Sequence, residues 1–314
     1  MKGPAGKADR YKQSMQKQSQ AYLFTVLAVL LWSTAATAFK IALQYVTPFI
    51  LLFYSALFST IALLVILTLQ GQLGKLKNIK TKSWVMAALL GFINPFLYYL
   101  VLFKAYSLLP GQIAMSLNYG WPLALTLLSV PILKQSLSRV QLLALAVSFC
   151  GAIVIATRGE MTAFAGVSLA GVMLAFTSTV IWAVFWLVNA RDGLAPVFKL
   201  FLGFCFGLLY ATLFSPLFGG LHIPSMQAFL PLIYIGLFEM GITFVLWLSA
   251  LQMSSSAARI GNLIYISPFL SLFFLWLIIG EEIHQATFIG LFLIVGSIIL
   301  QEFYSKRRPP IKRS

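Results

Sequence analysis

The sequence predicts an all-α integral membrane protein whose ten transmembrane helices form two inverted five-helix repeats. Three observations predict this fold class: the composition, the distribution of basic residues between the loops, and an internal repeat. Of the 314 residues, 60% are hydrophobic and 9% are charged, and the mean hydropathy is +0.93. The surface of a soluble globular protein does not tolerate such a balance. The chain is therefore expected to cross a lipid bilayer several times.

Long apolar runs occupy almost the whole chain. A spanning helix needs about 20 apolar residues, and ten runs meet this requirement: 21–42, 48–69, 83–103, 110–132, 139–157, 166–188, 196–217, 228–250, 257–279 and 285–303. The first run also resembles a cleavable signal peptide, because a basic tail precedes it and small residues follow at 36–38. We favour a spanning helix, since the apolar stretch continues to Leu43 and cleavage would break the repeat.

Basic residues fall almost entirely on one side of the predicted topology. With a cytoplasmic N-terminus, 19 of the 22 lysines and arginines lie on the inner side, and the outer side receives Lys40, Lys104 and Arg158. This is a strong positive-inside distribution. We therefore expect both tails, residues 1–20 and 304–314, to be cytoplasmic. Topology also accounts for the net charge of +15, and no basic soluble surface remains that would bind nucleic acid.

An internal repeat relates the two halves of the chain. Tyr119 and Pro122 match Tyr265 and Pro268 at a common offset of 146 residues. Five helices is an odd number, so the second half must enter the membrane from the opposite side. Inverted repeats recur in secondary transporters, which favours transport over a receptor or an enzyme. The alternative is a duplicated scaffold without alternating access, such as a lipid scramblase or a channel. The two repeats are residues 21–158 and 166–303.

One acidic residue lies deep in an apolar run. Glu239 is near the middle of the eighth run, and its repeat counterpart is Asn94. Helical spacing places Thr243 on the Glu239 face and Tyr98 on the Asn94 face. Ionisable groups inside the membrane persist mainly where they face a cavity or a partner. We expect Glu239 to bind a substrate ammonium or a coupling proton; the alternative is a structural glutamate that is protonated or hydrogen-bonded.

Three prolines interrupt apolar runs, at Pro95, Pro122 and Pro268. Proline removes a backbone donor, and lipid tolerates the loss only where protein or a wet cavity satisfies the freed groups. We expect these bends to line one central cavity. Polar and aromatic neighbours of the last two prolines would offer groups to a ligand, namely Asn118, Tyr119, Trp121, Asn262 and Tyr265. Proline kinks are also common in membrane helices, and these aromatics would equally suit a lipid-facing surface.

The first and sixth runs carry similar aromatic faces. Trp32 with Ser33 lies half-way along the first run, whereas aromatic belts lie at the headgroups; Trp182 and Trp186 are one turn apart in the sixth. Such faces suit a flat or amphipathic solute, and they also suit plain helix packing.

Enzymatic signals are weak. The histidines His222 and His284 lie in different loops without metal-ligand spacing, and no GxSxG or Walker motif occurs. We therefore expect no catalytic residues, no cofactor and no metal. Small residues, including Gly151, Gly290 and Gly296, indicate close contacts between the fifth and tenth helices. These helices form scaffold, in a monomer or a weak homodimer.

The combined pattern resembles the EamA-type drug/metabolite transporters. The resemblance rests on the two five-helix halves, on the sequence 30–34 (LLWST), and on Pro268 followed by 279–282 (IGEE) with Gly290 and Gly296. Within that family, 31–34 and 118–122 are similar to the motifs of an aromatic amino acid exporter. The resemblance implies a carrier of the bacterial inner membrane whose small-molecule substrates are amino acids or related metabolites, usually exported. The first half departs from the family, since Lys134-Gln135 stands where Gly-Glu is frequent.

Overall fold

All regular secondary structure in the described part of the chain is helical. The computed structural model describes residues 5–133, 138–159, 167–189, 196–254 and 263–307. The helices of the first half are α1 Ala5–Ser33, α2 Ala35–Ala42, α3 Pro48–Leu69, α4 Thr81–Gly91, α5 Tyr98–Leu108, α6 Gly111–Asn118, α7 Trp121–Leu133 and α8 Arg139–Ala156. Those of the second half are α9 Leu169–Asn189, α10 Pro196–Phe214, α11 Met226–Tyr234, α12 Ile242–Met253, α13 Ser267–Ile279 and α14 Gln285–Arg307. No strand occurs in these ranges, which confirms the all-α class.

Several of these helices are suited to lipid. Seven helical segments in the described ranges, some of which join two of these helices across an interruption, are long and apolar enough to cross a membrane. Two shorter apolar segments, Leu263–Ile279 and Gln285–Gln301, follow them. The predicted run 110–132 is divided into α6 and α7. Large apolar side chains are exposed around the molecule, for example Val65 on α3, Leu143 on α8 and Phe292 on α14. Contiguous exposed apolar surface of this extent would be unstable in water, so the chain is a multi-pass membrane protein.

Each of the three prolines lies at a helix interruption. The π-helical turn Phe92–Leu97 separates α4 from α5, and Asn94 within it has non-helical torsions (φ −148°, ψ 121°). Pro122 and Pro268 are the second residues of α7 and α13. Proline fits the first turn of a helix, because the missing N–H would have no intrahelical acceptor there. The chain therefore bends just before Pro122 and Pro268, and around Pro95 itself.

Two further interruptions have no proline. The π-helical turn Ile235–Glu239 is followed by Gly241 in a non-helical conformation (φ −110°, ψ −90°), after which α12 begins. Thr34 separates α1 from α2. The Thr243 hydroxyl donates a hydrogen bond to the backbone oxygen of Phe238, which satisfies a carbonyl at the break. The local polar side chain thus replaces a lost backbone partner, as the bilayer interior requires.

Contacts at the helix ends define two sides of the bundle. On the N-terminal side, Gln18 Nε2 donates to Ser254 Oγ at 3.4 Å. On the far side, Lys40 Nζ donates to the backbone oxygen of Leu109 at 3.0 Å. The segment α1–α2 runs from the first side to the second. Helix α9 begins at the far side, because a Cβ atom on Gly171 would lie 2.6 Å from Leu109 Cγ.

Helices α8 and α14 pack closely against one another. A Cβ atom on Gly151 would lie 2.7 Å from the backbone oxygen of Gly290, so only glycine permits this approach. Gly296 differs from the sequence-based expectation, because a Cβ atom there would meet nothing within 4 Å. The close contact therefore depends on Gly151 and Gly290.

Candidate functional site

A cavity of about 560 Å³ lies inside the bundle. This volume is within the usual range for small-molecule sites. Its aromatic lining comes from both halves of the chain, namely Trp32, Phe39, Tyr98, Tyr99, Tyr106, Tyr119, Trp121, Trp182, Trp186, Phe244, Trp247 and Tyr265. The remaining lining is mostly aliphatic, with Asn118, Glu239 and Ser271 as further polar members.

Aromatic rings on α9 form the centre of the wall. The Trp182 ring lies 4.5 Å from the ring of Tyr98 and 5.9 Å from those of Phe244 and Trp186, centroid to centroid. On the opposite side, Trp32 lies 5.4 Å from Phe244. Edge and tilted contacts of this kind hold the rings in defined orientations. The cavity therefore presents both faces and edges of aromatic rings to a ligand.

Glu239 provides the only carboxylate among the described lining residues. The Tyr99 hydroxyl donates to Glu239 Oε1 at 3.2 Å, and the Trp32 indole N–H donates to the Glu239 backbone oxygen at 3.3 Å. The second carboxylate oxygen, Oε2, is buried and has no hydrogen-bond partner in the described part of the chain. The side chain is thus held by one oxygen and presents the other for a ligand or a proton.

Asn118 joins three helices beside the cavity. Its Oδ1 accepts a hydrogen bond from the Tyr98 hydroxyl at 3.2 Å, and its Nδ2 donates to Ser178 Oγ at 2.8 Å. Tyr98 begins α5, Asn118 ends α6, and Ser178 is on α9. The amide therefore fixes the orientation of one cavity tyrosine relative to the interruption before α7.

Polar contacts close the far end of the cavity. Both carboxylate oxygens of Glu281, in the turn between α13 and α14, accept backbone N–H groups at the start of α6, from Gly111 and Gln112 at 2.9 Å each. The Gln112 side chain donates to the Glu282 backbone oxygen at 2.6 Å and accepts from the backbone N–H of His284 and the hydroxyl of Thr287. Lys40 binds the backbone oxygens of Tyr106 and Leu109. These bonds tie α6 to the α13–α14 turn, and α2 to the end of α5.

The structure places most of the sequence-predicted site residues on this cavity. Those in its lining are Trp32, Tyr98, Asn118, Tyr119, Trp121, Trp182, Trp186, Glu239 and Tyr265. Ser33 is instead buried between helices, where its hydroxyl donates to the backbone oxygen of Val29 at 2.6 Å and lies within hydrogen-bond distance of Ser267 Oγ, at 3.1 Å. Thr243 is buried, and its hydroxyl binds the backbone oxygen of Phe238 in the preceding π-helical turn. Asn262 lies outside the described residues.

Asn94, the repeat counterpart of Glu239, lines a second and smaller cavity. This cavity of about 90 Å³ also contains Asn189 and Lys199. Asn94 is buried, and its Oδ1 has no partner in the described ranges. The two halves therefore place their counterpart polar residues in different cavities.

Several lining residues were missed by sequence reasoning, among them Tyr99, Tyr106 and Phe244. Tyr98 and Tyr99 are adjacent, and adjacent helical residues point about 100° apart, so spacing along one face selects only one of them. Both reach the cavity because they follow directly on the π-helical turn Phe92–Leu97. Tyr106 lies on the same helix face as Tyr99, two turns later, so this spacing could have indicated that both residues line the cavity.

No group of three or more His, Cys, Asp or Glu side chains that could hold a metal occurs within the described ranges. The geometry instead offers aromatic surface, one buried carboxylate oxygen without a partner in the described ranges, and polar contacts at the far end. Such a site is suited to reversible binding of a small organic molecule.

The sequence matches a family of transporters along nearly its whole length. The profile of the EamA-like transporter family matches residues 19–157 and 169–301. A crystal structure of a protein with 24% sequence identity superimposes with a TM-score of 0.63 over 92% of this chain and 98% of that chain. At this identity, the likeness shows a shared fold.

Two curated proteins are similar in sequence. An aromatic amino acid exporter, YddG, from Ancylobacter novellus is 27% identical over 295 residues, covering 92% of this chain and 99% of the exporter. An uncharacterized transporter from Clostridium kluyveri is 27% identical over 180 residues, covering 54% of this chain and 56% of that protein. The chain thus matches about half the length of the second relative and nearly all of the first.

Proposed function

We propose that this chain, which belongs to the EamA-like transporter family, is a secondary transporter that moves small organic metabolites by alternating access. The observation that carries the proposal is the cavity of about 560 Å³, which has polar contacts at the far end and one carboxylate among its described lining residues. Amino acids or related metabolites are the proposed solutes, and export is the proposed direction. The similarity to an aromatic amino acid exporter supports both.

Inverted repeats would supply the two access states. The family profile matches two segments of similar length, 19–157 and 169–301. Helices α1–α2 end at the far side, where α9, the first helix of the second segment, begins. The first helices of the two segments therefore run in opposite directions, which supports a repeat inverted in the membrane. Two similar halves related in this way can exchange inward-open and outward-open shapes.

The charge distribution supports an orientation in a bacterial inner membrane. Nineteen of the 22 basic residues fall on the side of the N-terminus, which is the cytoplasmic side under the positive-inside rule. The far side, with Lys40, Gly111 and Glu281, would then face outward. In this arrangement the structure corresponds to a state that is closed to the outside.

Glu239 is proposed to bind a substrate ammonium and a coupling proton in turn. Its Oε2 is buried and without a partner in the described residues, so the charged form is poorly compensated unless a cation is bound. A proton and an ammonium group would each neutralise it. Competition between a proton and an ammonium group for one carboxylate is the simplest means of coupling proton movement to solute movement.

Counterflow in proteoliposomes tests the proposal. A carrier exchanges labelled solute against unlabelled solute on the opposite side and saturates, whereas a scramblase or channel does neither. We expect Glu239→Gln to abolish this exchange or its dependence on pH, without loss of folded protein. Glu282→Gln is the matched control, because that carboxylate is exposed at the far end. Normal pH-dependent exchange by Glu239→Gln would contradict the proposed role of Glu239.

A further inference from the structure

We infer that the cavity selects aromatic organic cations that lack a carboxylate over zwitterionic amino acids. The inference concerns the substrate class of the proposed transport site and rests on that proposal. It follows from the charges, the aromatic walls and the unused hydrogen-bonding atoms of the cavity.

The charge on the described cavity lining is only negative. Glu239 is the only charged residue among the described residues around the cavity, and no lysine or arginine accompanies it there. An ammonium group therefore finds a counter-charge at Glu239 Oε2. The carboxylate of an amino acid finds none on these walls, and a buried charge without a partner is costly. The cavity thus favours a net positive ligand.

The walls suit a cation joined to a flat ring. Trp182 has Tyr98 at 4.5 Å and Trp186 at 5.9 Å, and these three rings are all part of the lining. Ring faces attract cations through their quadrupoles, and they stack on aromatic ligands. An aliphatic cation of the same charge would gain only the first of these interactions.

A second polar atom also lacks a partner. The indole Nε1 of Trp186 is buried, and none of the described residues accepts its hydrogen. Two tyrosine donors beside the cavity are engaged within the protein: the Tyr98 hydroxyl donates to Asn118, and the Tyr99 hydroxyl donates to Glu239. Leaving a buried donor unpaired is unfavourable. The ligand class therefore has an ammonium group for Glu239 and a neutral acceptor, such as a hydroxyl oxygen, for Trp186.

Three compounds that share an indole ring separate the effect of the ammonium group from that of the carboxylate. Tryptamine carries an ammonium only, tryptophan adds a carboxylate, and tryptophol replaces the ammonium by a hydroxyl. Titration calorimetry on the full chain in detergent measures each affinity. A hydrogen bond to a charged group contributes enough that tryptamine binds roughly tenfold or more tightly than tryptophol. Tryptophan binds less tightly than tryptamine by roughly tenfold or more, because its carboxylate is buried without a counter-charge. The comparison uses the unaltered protein, so it does not depend on the folding of any variant.

Two variants assign the selectivity to the named atoms. Glu239→Gln brings the affinity for tryptamine close to that for tryptophol, whereas Glu282→Gln leaves the order unchanged. 5-Hydroxytryptamine, which adds a neutral acceptor, binds more tightly than tryptamine, and Trp186→Phe removes this gain. An equal loss of both affinities in Trp186→Phe contradicts the role of the indole N–H.

Failure of the inference and failure of the carrier proposal are distinguishable. Tryptophan binding as tightly as tryptamine overturns the inference, as does an absence of heat with all three compounds. Counterflow with labelled tryptamine reports on the carrier independently. Selective binding of tryptamine without exchange overturns the carrier proposal and leaves the inferred selectivity intact. Preferred exchange of tryptophan overturns the inferred selectivity and leaves the carrier proposal intact.

Discussion

At the scale of single residues, the hydrogen bond from Tyr99 to Glu239 fixes the only described carboxylate in the cavity. The bond is 3.2 Å long and engages Oε1, while Oε2 is buried without a partner in the described residues. Loss of the hydroxyl leaves the carboxylate with two uncompensated oxygens and more rotational freedom. We expect Tyr99→Phe to raise the half-saturating solute concentration roughly tenfold, as for a lost hydrogen bond to a charged group. Counterflow at varied solute concentration measures this change.

Tyr54→Phe is the matched control for that substitution. The Tyr54 hydroxyl donates to the His222 backbone oxygen at 3.1 Å, in an exposed position at the far side, and Tyr54 is not among the residues around the cavity. Tyr54→Phe also removes a tyrosine hydroxyl, and the hydrogen bond that it breaks is of similar length to the one between Tyr99 and Glu239. Equal effects of the two substitutions would show that Tyr99 acts only on the stability of the bundle.

Asn118 gives a second residue-scale prediction, on stability. Its amide bonds to both Tyr98 and Ser178, so Asn118→Leu leaves two polar partners without their bonds. We expect a loss of about 1–3 kcal/mol in the free energy of unfolding, with a lower thermal midpoint in detergent. Ser178→Ala removes one of the two bonds and is expected to cost less. A thermal midpoint unchanged by Asn118→Leu would contradict this account.

The sequence located residues that line the cavity where a single property was decisive, and their role in substrate binding stays a prediction. The depth of Glu239 in an apolar run indicated a cavity-facing group, and Trp32, Trp182 and Trp186 were selected because they lie away from the headgroups. Asn94 was placed by the repeat, yet it lines the smaller cavity. Repeat matching fixes depth along the helix, whereas the cavity is set by how the two halves pack. That packing is not encoded in one local stretch.

At the scale of elements, the turn between α13 and α14 caps the start of α6. Glu281 accepts two backbone N–H groups that have no intrahelical acceptor, and its charge is favourable at a helix N-terminus. We expect Glu281→Gln to weaken closure of the far end, because an amide offers one acceptor oxygen where the carboxylate offers two. A cysteine at Ala36, which lines the cavity on α2, should then react faster with an impermeant thiol reagent added outside intact cells.

The labelling experiment needs two controls. Cys150 and Cys205 are the only cysteines in the sequence, so both are replaced by alanine first. Glu282→Gln removes the neighbouring exposed carboxylate, which leaves the cap in place. Labelling that is equally fast with Glu281→Gln and Glu282→Gln would exclude Glu281 as a determinant of closure.

The contact of α8 with α14 gives a second element-scale prediction. A Cβ atom on Gly151 would lie 2.7 Å from the Gly290 backbone oxygen and 2.9 Å from the Leu293 Cβ atom. Backbone cannot move aside as a flexible side chain can, so Gly151→Leu should destabilise the fold by about 1–3 kcal/mol. Gly296→Leu, where a Cβ atom meets nothing within 4 Å, should be tolerated. Thermal unfolding of both variants in detergent makes the comparison, and equal midpoints would contradict it.

The sequence predicted which helices are interrupted only where proline marks them. Pro95, Pro122 and Pro268 each lie at a break. The break at Gly241 was missed, since glycine within an apolar run is common and has many packing roles. Its position after Glu239 was nevertheless a signal, because a deep carboxylate flanked by two glycines, Gly236 and Gly241, is unusual.

At the scale of the whole molecule, composition and family resemblance predicted the all-helical membrane fold. Hydropathy is summed over about 20 residues per span, so a few polar residues within a span do not change the prediction of a membrane helix. The arrangement of the cavity depends on contacts between helices far apart in sequence, such as the bond from Trp32 to the backbone of Glu239. Such contacts have no one-dimensional signature, which is why the lining was predicted only in part.

The proposed coupling makes a final prediction for the whole carrier. If an organic cation and a proton compete for Glu239, the two move in opposite directions, and protons leaving an acidic vesicle lumen drive the cation inward. The probe should be trimethylated tryptamine, whose permanent charge prevents passive trapping of the neutral amine in the acidic lumen. We expect accumulation in acidic proteoliposomes, loss of accumulation when an ionophore collapses the gradient, and none with Glu239→Gln. Equal uptake with and without the gradient would indicate uncoupled passage, and protein-free vesicles set the background.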